Sequence, residues 1–188
     1  MHKWAKQKGF TIVELLIVIV VIGILAAITI VAYNGIQQRG RDARRLSDIG
    51  AIKKALELYK TDTGTFPTVA YTGLGTLDGW EDSSKEAAGE FLTPLKPYGF
   101  SGGVTVDPIN DATDATMNLA RSNKHYGYLY YKYPAGNNGC DANRGAFYVL
   151  GLITTETSGS GTHPQSPGFS CSYDWQTVFS WVTGGYEK

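Results

Sequence analysis

Lys8-Gly9-Phe10-Thr11-Ile12-Val13-Glu14-Leu15-Leu16-Ile17-Val18-Ile19 opens an apolar run that from Leu15 to Ala32 is broken only by Gly23 and Thr29. About 18 such residues is close to the minimum for a helix that spans a bilayer. Glu14 lies inside the start of the segment, and an ionisable group there is costly to insert and marks a functional position. Ahead of the run, His2, Lys3, Lys6 and Lys8 stand without an acid. That basic flank predicts a cytoplasmic N-terminus.

A secretory signal peptide and a plain signal anchor both share a basic flank and an apolar stretch. The exits Leu25-Ala26-Ala27 and Ile30-Val31-Ala32 lack a small residue three before the cut. Neither alternative gives Gly9 or Glu14 a role.

The stretch Gly9 to Ile19 resembles the leader junction of type IV pilins and type II secretion pseudopilins. The resemblance implies that a prepilin peptidase removes leader 1–9, cutting between Gly9 and Phe10 on the cytoplasmic face. The same enzyme then methylates the new N-terminus at Phe10, and the apolar segment 10–32 stays with the mature chain. Glu14 becomes an assembly residue, one helical turn from an α-amine of its own chain or within reach of a neighbouring subunit's. A paired buried carboxylate fixes register more than it adds stability. A first-turn carboxylate also suits the helix dipole without any partner. Lys60 to Thr68 resembles the junction after the long helix of pseudopilins. In contrast to many members of the family, no proline stands near Val31, and Gly23 is the one helix-weakening residue within the run.

Beyond the membrane segment the helix is predicted to continue. Leu46, Ile49, Ile52, Leu56 and Tyr59 recur at three- and four-residue steps, an amphipathic stripe, before the stop signals Asp62, Gly64 and Pro67. A helix over 10–62 is therefore expected, followed by an exported domain over 63–188. After Pro67 the texture changes to glycine-rich turns and short strands. Strands are predicted at Tyr126–Tyr133, Ala146–Thr154 and Trp175–Val182, with a short helix within Glu81–Leu92 behind Ser83-Ser84-Lys85-Glu86. The expected fold is α+β and pilin-like: a long N-terminal helix packed on an antiparallel sheet.

Residues 63–188 hold seven bases against twelve acids. An acidic domain argues against direct binding of nucleic acid. The basic cluster Arg39–Arg45 reads best as a solvated or inter-subunit face, with Asp42–Arg45 and Arg44–Asp48 at helical pair spacing. Lipid headgroups are the alternative partner. Cys140 and Cys171 form no metal-binding spacing, and in an exported domain two cysteines most simply make one disulfide, which is compatible with the family.

Asp107, Asn110, Asp111 and Asp114 form an oxygen-rich loop, which admits Ca²⁺ or an ordinary turn. The resemblance adds weight to calcium, because major pseudopilins often bind it in this half of the domain. In Tyr126–Tyr133, alternation puts Tyr126, Tyr128 and Tyr130 on one face and Tyr131 and Tyr133 on the other. Such rows suit sheet packing, or stacking on sugars or bases. No catalytic arrangement stands out: His125 and His163 lack telling neighbours, and Gly73-Leu74-Gly75 opens no phosphate-binding turn.

The expected function is that of a structural subunit polymerised through its helix into a type IV pilus or a secretion pseudopilus. The alternative is a minor or tip pilin whose domain binds a surface ligand, sugar or DNA. The implied partners are the prepilin peptidase, other pilins or pseudopilins, an inner-membrane assembly platform, and membrane lipid before assembly. The implied location is the cytoplasmic membrane, single-pass with the C-terminal domain exported, then a filament.

Overall fold

A computed structural model describes residues 9–68, 79–84, 90–110, 126–159 and 161–188. The chain divides into two units, one up to Arg39 and one from Gly40 to Lys188. Helix α1 runs over Ile12–Thr63, close to the expected bounds. It contains no proline, and Gly64 ends it by taking φ +80° while donating its N–H to the Lys60 carbonyl at 2.8 Å. A left-handed residue just past the last turn is the usual helix terminator, and glycine adopts it without a Cβ clash.

In the first unit the side chains from Ile12 to Ile36 are solvent-facing, with large apolar residues mostly half or more exposed. The helix is long and apolar enough to cross a membrane. Apolar residues all around a helix suit a lipid or helix-bundle environment rather than water.

The second unit is an antiparallel sheet in the order β1 (Glu81–Asp82), β2 (Tyr128–Tyr133), β3 (Phe147–Leu152) and β4 (Trp181–Tyr186). Tyr130 pairs with Glu81 and with Leu150, and Leu150 pairs with Thr183. Strand alternation sends side chains to two cores. On one face Tyr128, Tyr130, Tyr148, Leu150 and Leu152 pack with Ile49, Ile52 and Leu56 of α1 and with Phe66, Phe91, Leu92 and Leu95. On the other, Leu129, Phe147 and Val149 meet Trp80, Trp175, Phe179 and Cys140, so the C-terminal segment covers the face opposite the helix.

Two elements differ from expectation. Trp175–Thr177 is a 3-10 turn, because the Asp174 side chain accepts the Gln176 N–H at 2.9 Å and caps it; the strand begins six residues later, at Trp181. That strand holds Gly184 and Gly185, weak strand formers, but both are needed for space. A Cβ at Gly184 would lie 2.5 Å from the Phe169 ring, and one at Gly185 would lie 2.9 Å from Tyr148. Of the expected helix within Glu81–Leu92, residues 85–89 lie outside the described set, and its start is instead strand β1 followed by a turn at Ser84. The Asp82 carboxylate accepts both the N–H and the hydroxyl of Ser84, an arrangement that competes with helix.

Candidate functional site

Gly9 and Phe10 are exposed and outside regular secondary structure, just before the helix. The backbone around the expected cut is therefore accessible, and a Cβ at Gly9 would meet nothing within 4 Å. The chain itself places no steric demand for glycine there; any such demand comes from whatever binds the segment.

Thr11 caps α1. Its hydroxyl accepts the Glu14 N–H at 3.2 Å, while Glu14 Oε2 accepts the Thr11 N–H at 2.8 Å and the Thr11 hydroxyl at 2.7 Å. This reciprocal capping box satisfies two backbone N–H groups left free by the first turn. Thr11 is a site residue that the sequence reading passed over, although Thr-x-x-Glu ahead of an apolar run is its sequence signature. All the bonds to Thr11 fall on Oε2, so among the described residues Oε1 of Glu14 has no hydrogen-bond partner and can accept a cation. Glu14 thus combines a local role as cap with an unspent acceptor.

The Arg39–Arg45 cluster is only in part a solvated face. Arg44 is exposed and sits 3.6 Å from Asp48, as pair spacing implies. Arg45 and Asp42 are buried, which corrects the surface reading. Arg45 is fully buried, with Nε and Nη2 forked onto Asp107 at 2.7 and 3.0 Å. Its Nη1 reaches Asp42 at 2.6 Å and Glu156 at 2.8 Å. Arg41 grips Glu156 with a second fork at 2.7 and 2.6 Å. Asp42 in turn accepts the N–H groups of Glu156 and Thr157 at 3.1 and 2.8 Å, and the Thr157 hydroxyl at 2.5 Å. Bidentate, charge-assisted bonds of this kind are the strongest a side chain makes.

The charges respond accordingly. Burial pushes the Asp42 carboxyl upward, but the bonds from Thr157, Glu156 and Arg45 outweigh it and hold the group below the usual carboxylate range. The Arg41 fork, with help from Arg45, holds Glu156 low against its partial burial. Burial disfavours the Arg45 cation, yet Asp107, Glu156 and Asp42 together raise its affinity for the proton above that of a free guanidinium.

This network absorbs part of the oxygen-rich loop. Both Asp107 oxygens face Arg45, and Oδ1 also accepts the Ile109 N–H at 2.8 Å. Asn110 takes a left-handed φ of 49° and exchanges bonds with Ser83, its amide donating to the Ser83 carbonyl and its oxygen accepting the Ser83 hydroxyl. Asp107 is thus the counter-ion of an arginine and Asn110 a loop staple, an arrangement that does not fit a Ca²⁺ cage at these two residues. Asp111 and Asp114 lie outside the described residues. Among the described residues no group of three or more His, Cys, Asp or Glu could hold a metal.

Cys140 and Cys171 form a disulfide, with Cα atoms 4.9 Å apart. The tyrosine rows alternate as expected but are spent on packing. The Tyr128 and Tyr130 hydroxyls donate to Asp48 and to the Pro67 carbonyl, each at 2.8 Å, in the helix-side core. In the other, Tyr131 and Tyr133 make tilted and edge-on ring contacts with Trp80, and Tyr133 also with Trp175. Of the two histidines considered, His163 accepts the Gln165 N–H at 3.2 Å in an exposed turn, and His125 lies outside the described residues.

Residues 4–30 match the model of the prokaryotic N-terminal methylation motif. The chain is 40% identical over 63 residues to the type II secretion system core protein G of Escherichia coli (strain K12), covering 34% of this chain and 43% of that protein. It is 37% identical over 68 residues to the corresponding protein of Vibrio cholerae, covering 36% and 47%. It is also 40% identical over 75 residues to the type IV major fimbrial protein FimA of Dichelobacter nodosus, covering 39% and 48%. The chain spans a little under half the length of these relatives. No solved structure matches it. Over its N-terminal third the chain is thus similar to type IV pilins and type II secretion pseudopilins, and it carries their N-terminal methylation motif.

Proposed function

We propose that this chain is a structural filament subunit, made as a prepilin and polymerised through its N-terminal helix into a type IV pilus or a type II secretion pseudopilus. The observation that carries the reading is local. An accessible Gly9–Phe10 bond is followed at once by a capped helix whose apolar first half holds one acid, Glu14, with an oxygen that no described residue occupies. Before assembly the apolar half of α1 lies in the inner membrane. A prepilin peptidase removes residues 1–9 and methylates Phe10, and an inner-membrane platform then draws subunits together. Burying exposed apolar side chains against like helices supplies the driving force. A Phe10 α-amine from the same or a neighbouring subunit is the cation that Glu14 Oε1 would meet.

The test is mass spectrometry of sheared filaments together with electron microscopy. The expected result is filaments whose subunit begins at N-methyl-Phe10. In cells carrying Gly9→Leu, the full-length precursor should accumulate in the membrane. Normal processing of that variant would reject the cut site, and a correctly processed chain that never enters filaments would reject the assembly role.

A further inference from the structure

A cleft of about 370 Å³ opens on the outer side of β4, lined by Arg144, Phe169, Ser170, Gln176, Gly184 and Tyr186 among others, and its lining is more polar than apolar. Small-molecule sites begin near this size, which accommodates a single ring rather than an extended chain. We propose that this cleft binds an acidic monosaccharide unit, with Arg144 as the carboxylate-binding residue.

Arg144 is the charged residue of the lining, so no acid neutralises it there. Its guanidinium carbon lies 3.7 Å from the centroid of the Tyr186 ring, and among the described residues it makes no ion pair. Stacking on a ring fixes the guanidinium plane and leaves its edge free, the geometry that suits bidentate contact with a carboxylate. The backbone of Arg144 is also held, because its carbonyl accepts the Lys188 N–H at 3.0 Å. In a domain with excess acid, an arginine that pairs with no carboxylate among the described residues is conspicuous.

The other walls supply partners for hydroxyl groups. Asp174 caps the turn that carries Gln176, which brings the Gln176 amide against Gly168; a Cβ there would come within 2.0 Å of the amide nitrogen. Gly168 has φ +74°, so both space and conformation require glycine. On β4 the outward N–H of Val182 donates to the Ser166 hydroxyl at 3.1 Å. Alternation along the strand turns the Gly184 N–H the same way, into the cleft. Guanidinium, amide, hydroxyl and strand N–H thus converge beside the Phe169 and Tyr186 rings. A fatty acid would find too little apolar wall here, whereas a ring bearing hydroxyls and one carboxylate matches the whole lining. This assignment stands whichever filament the chain enters.

The test is calorimetric titration of the full chain in detergent with glucuronate, glucose, acetate and a short acidic peptide. Glucuronate is expected to bind at least about tenfold more tightly than glucose or acetate, and Arg144→Gln to weaken it by about tenfold or more, as for loss of a bond to a charged group. Exposed Arg144 should leave the melting temperature unmoved on substitution. If it does not, Gln176→Ala and Ser170→Ala probe the other wall, each expected to weaken glucuronate about threefold or more. Unchanged affinity in these variants, equal binding of acetate or of the acidic peptide, or no binding of glucuronate would each overturn the proposal.

Discussion

Replacing Arg45 with methionine isolates the network that joins α1 to its own domain. The side chain is fully buried and serves three carboxylates, so the substitution keeps most of the stem's packing and deletes the charge. Two opposing terms decide the outcome. Removing a buried cation relieves its own desolvation, which on its own favours the variant. Asp107, however, has no exposed side-chain surface and is left without its counter-ion, and Asp42 loses one of its partners. Leaving a buried charge unpaired costs about 3–5 kcal/mol, and this term should win. For a domain of this size each kcal/mol moves the midpoint by roughly 2–4 °C, so the expected drop is roughly 6–20 °C. Tryptophan fluorescence during heating reads it, since Trp80, Trp175 and Trp181 are all buried. The double variant Arg45→Met/Asp107→Asn removes the orphaned charge and should lose less than the sum of its single variants, by about 0.5–3 kcal/mol of coupling. A midpoint within 2 °C of wild type for Arg45→Met, or strict additivity in the double variant, would show that the network is incidental.

Glu14→Gln separates cap from charge, because glutamine can take the same place in a capping box. It should insert and be cut as wild type while filament yield collapses, whereas Thr11→Val keeps the charge and should still assemble; wild-type filament yield in Glu14→Gln would remove the alignment role. Acid should destabilise the domain through Asp42, Glu156 and Glu187, whose folded pKa values are all depressed. Their contribution is complete above the unfolded carboxylate values near 4 and is lost as pH falls through the lower folded values. Thermal midpoints should therefore be flat in these groups' contribution between pH 7 and about 5.5 and fall below about pH 4, and a midpoint that rises on acidification would contradict the assignment. Reduction of Cys140–Cys171 releases a crosslink spanning 31 residues and should cost about 2–5 kcal/mol, read as a lower midpoint with two thiols titrated per chain.

The helix and the two central strands were legible because their signals are local. Leu46, Ile49, Ile52 and Leu56 repeat at helical steps, and Tyr128–Tyr133 alternates at strand steps. The last strand was not, since Gly184 and Gly185 carry no strand preference; what they provide is room for Phe169 and Tyr148, a fact of packing. The same distinction runs through the sites. Asp42 and Arg45 were recognisable as a pair from their spacing, but their burial depends on Asp107 and Glu156, which lie 62 and 111 residues from Arg45. Helical spacing tells which side chains meet on one helix; it does not tell which face the rest of the chain will cover. Asp107 shows the complementary case: a carboxylate seen without its arginine resembles a cation ligand. The Thr11–Glu14 box is fully local, so its Thr-x-x-Glu signature would have sufficed to find it even though it was passed over.

The charged network also has a physical reason to sit where it does. An apolar stripe alone holds a helix on a sheet with weak axial specificity, since a shift of one turn, about 5.4 Å, exchanges one aliphatic residue for another. Here a shift in one direction would put Ile49 in the place of Arg45 and leave Asp107 facing an alkyl chain. A shift in the other would bring Arg41 to that place but Gln38 to that of Asp42, exchanging for a neutral amide the carboxylate that accepts the Glu156 and Thr157 N–H groups. At the far end of the helix Lys60 donates to the Tyr186 carbonyl at 2.8 Å, and Glu187 accepts the Phe66 N–H at 3.1 Å, so the register is fixed at both ends of the packed segment. Polar contacts of this kind specify one alignment more than they add stability. That alignment gives the sheet a defined place along residues 42–60 of α1, the segment of the helix that packs on it.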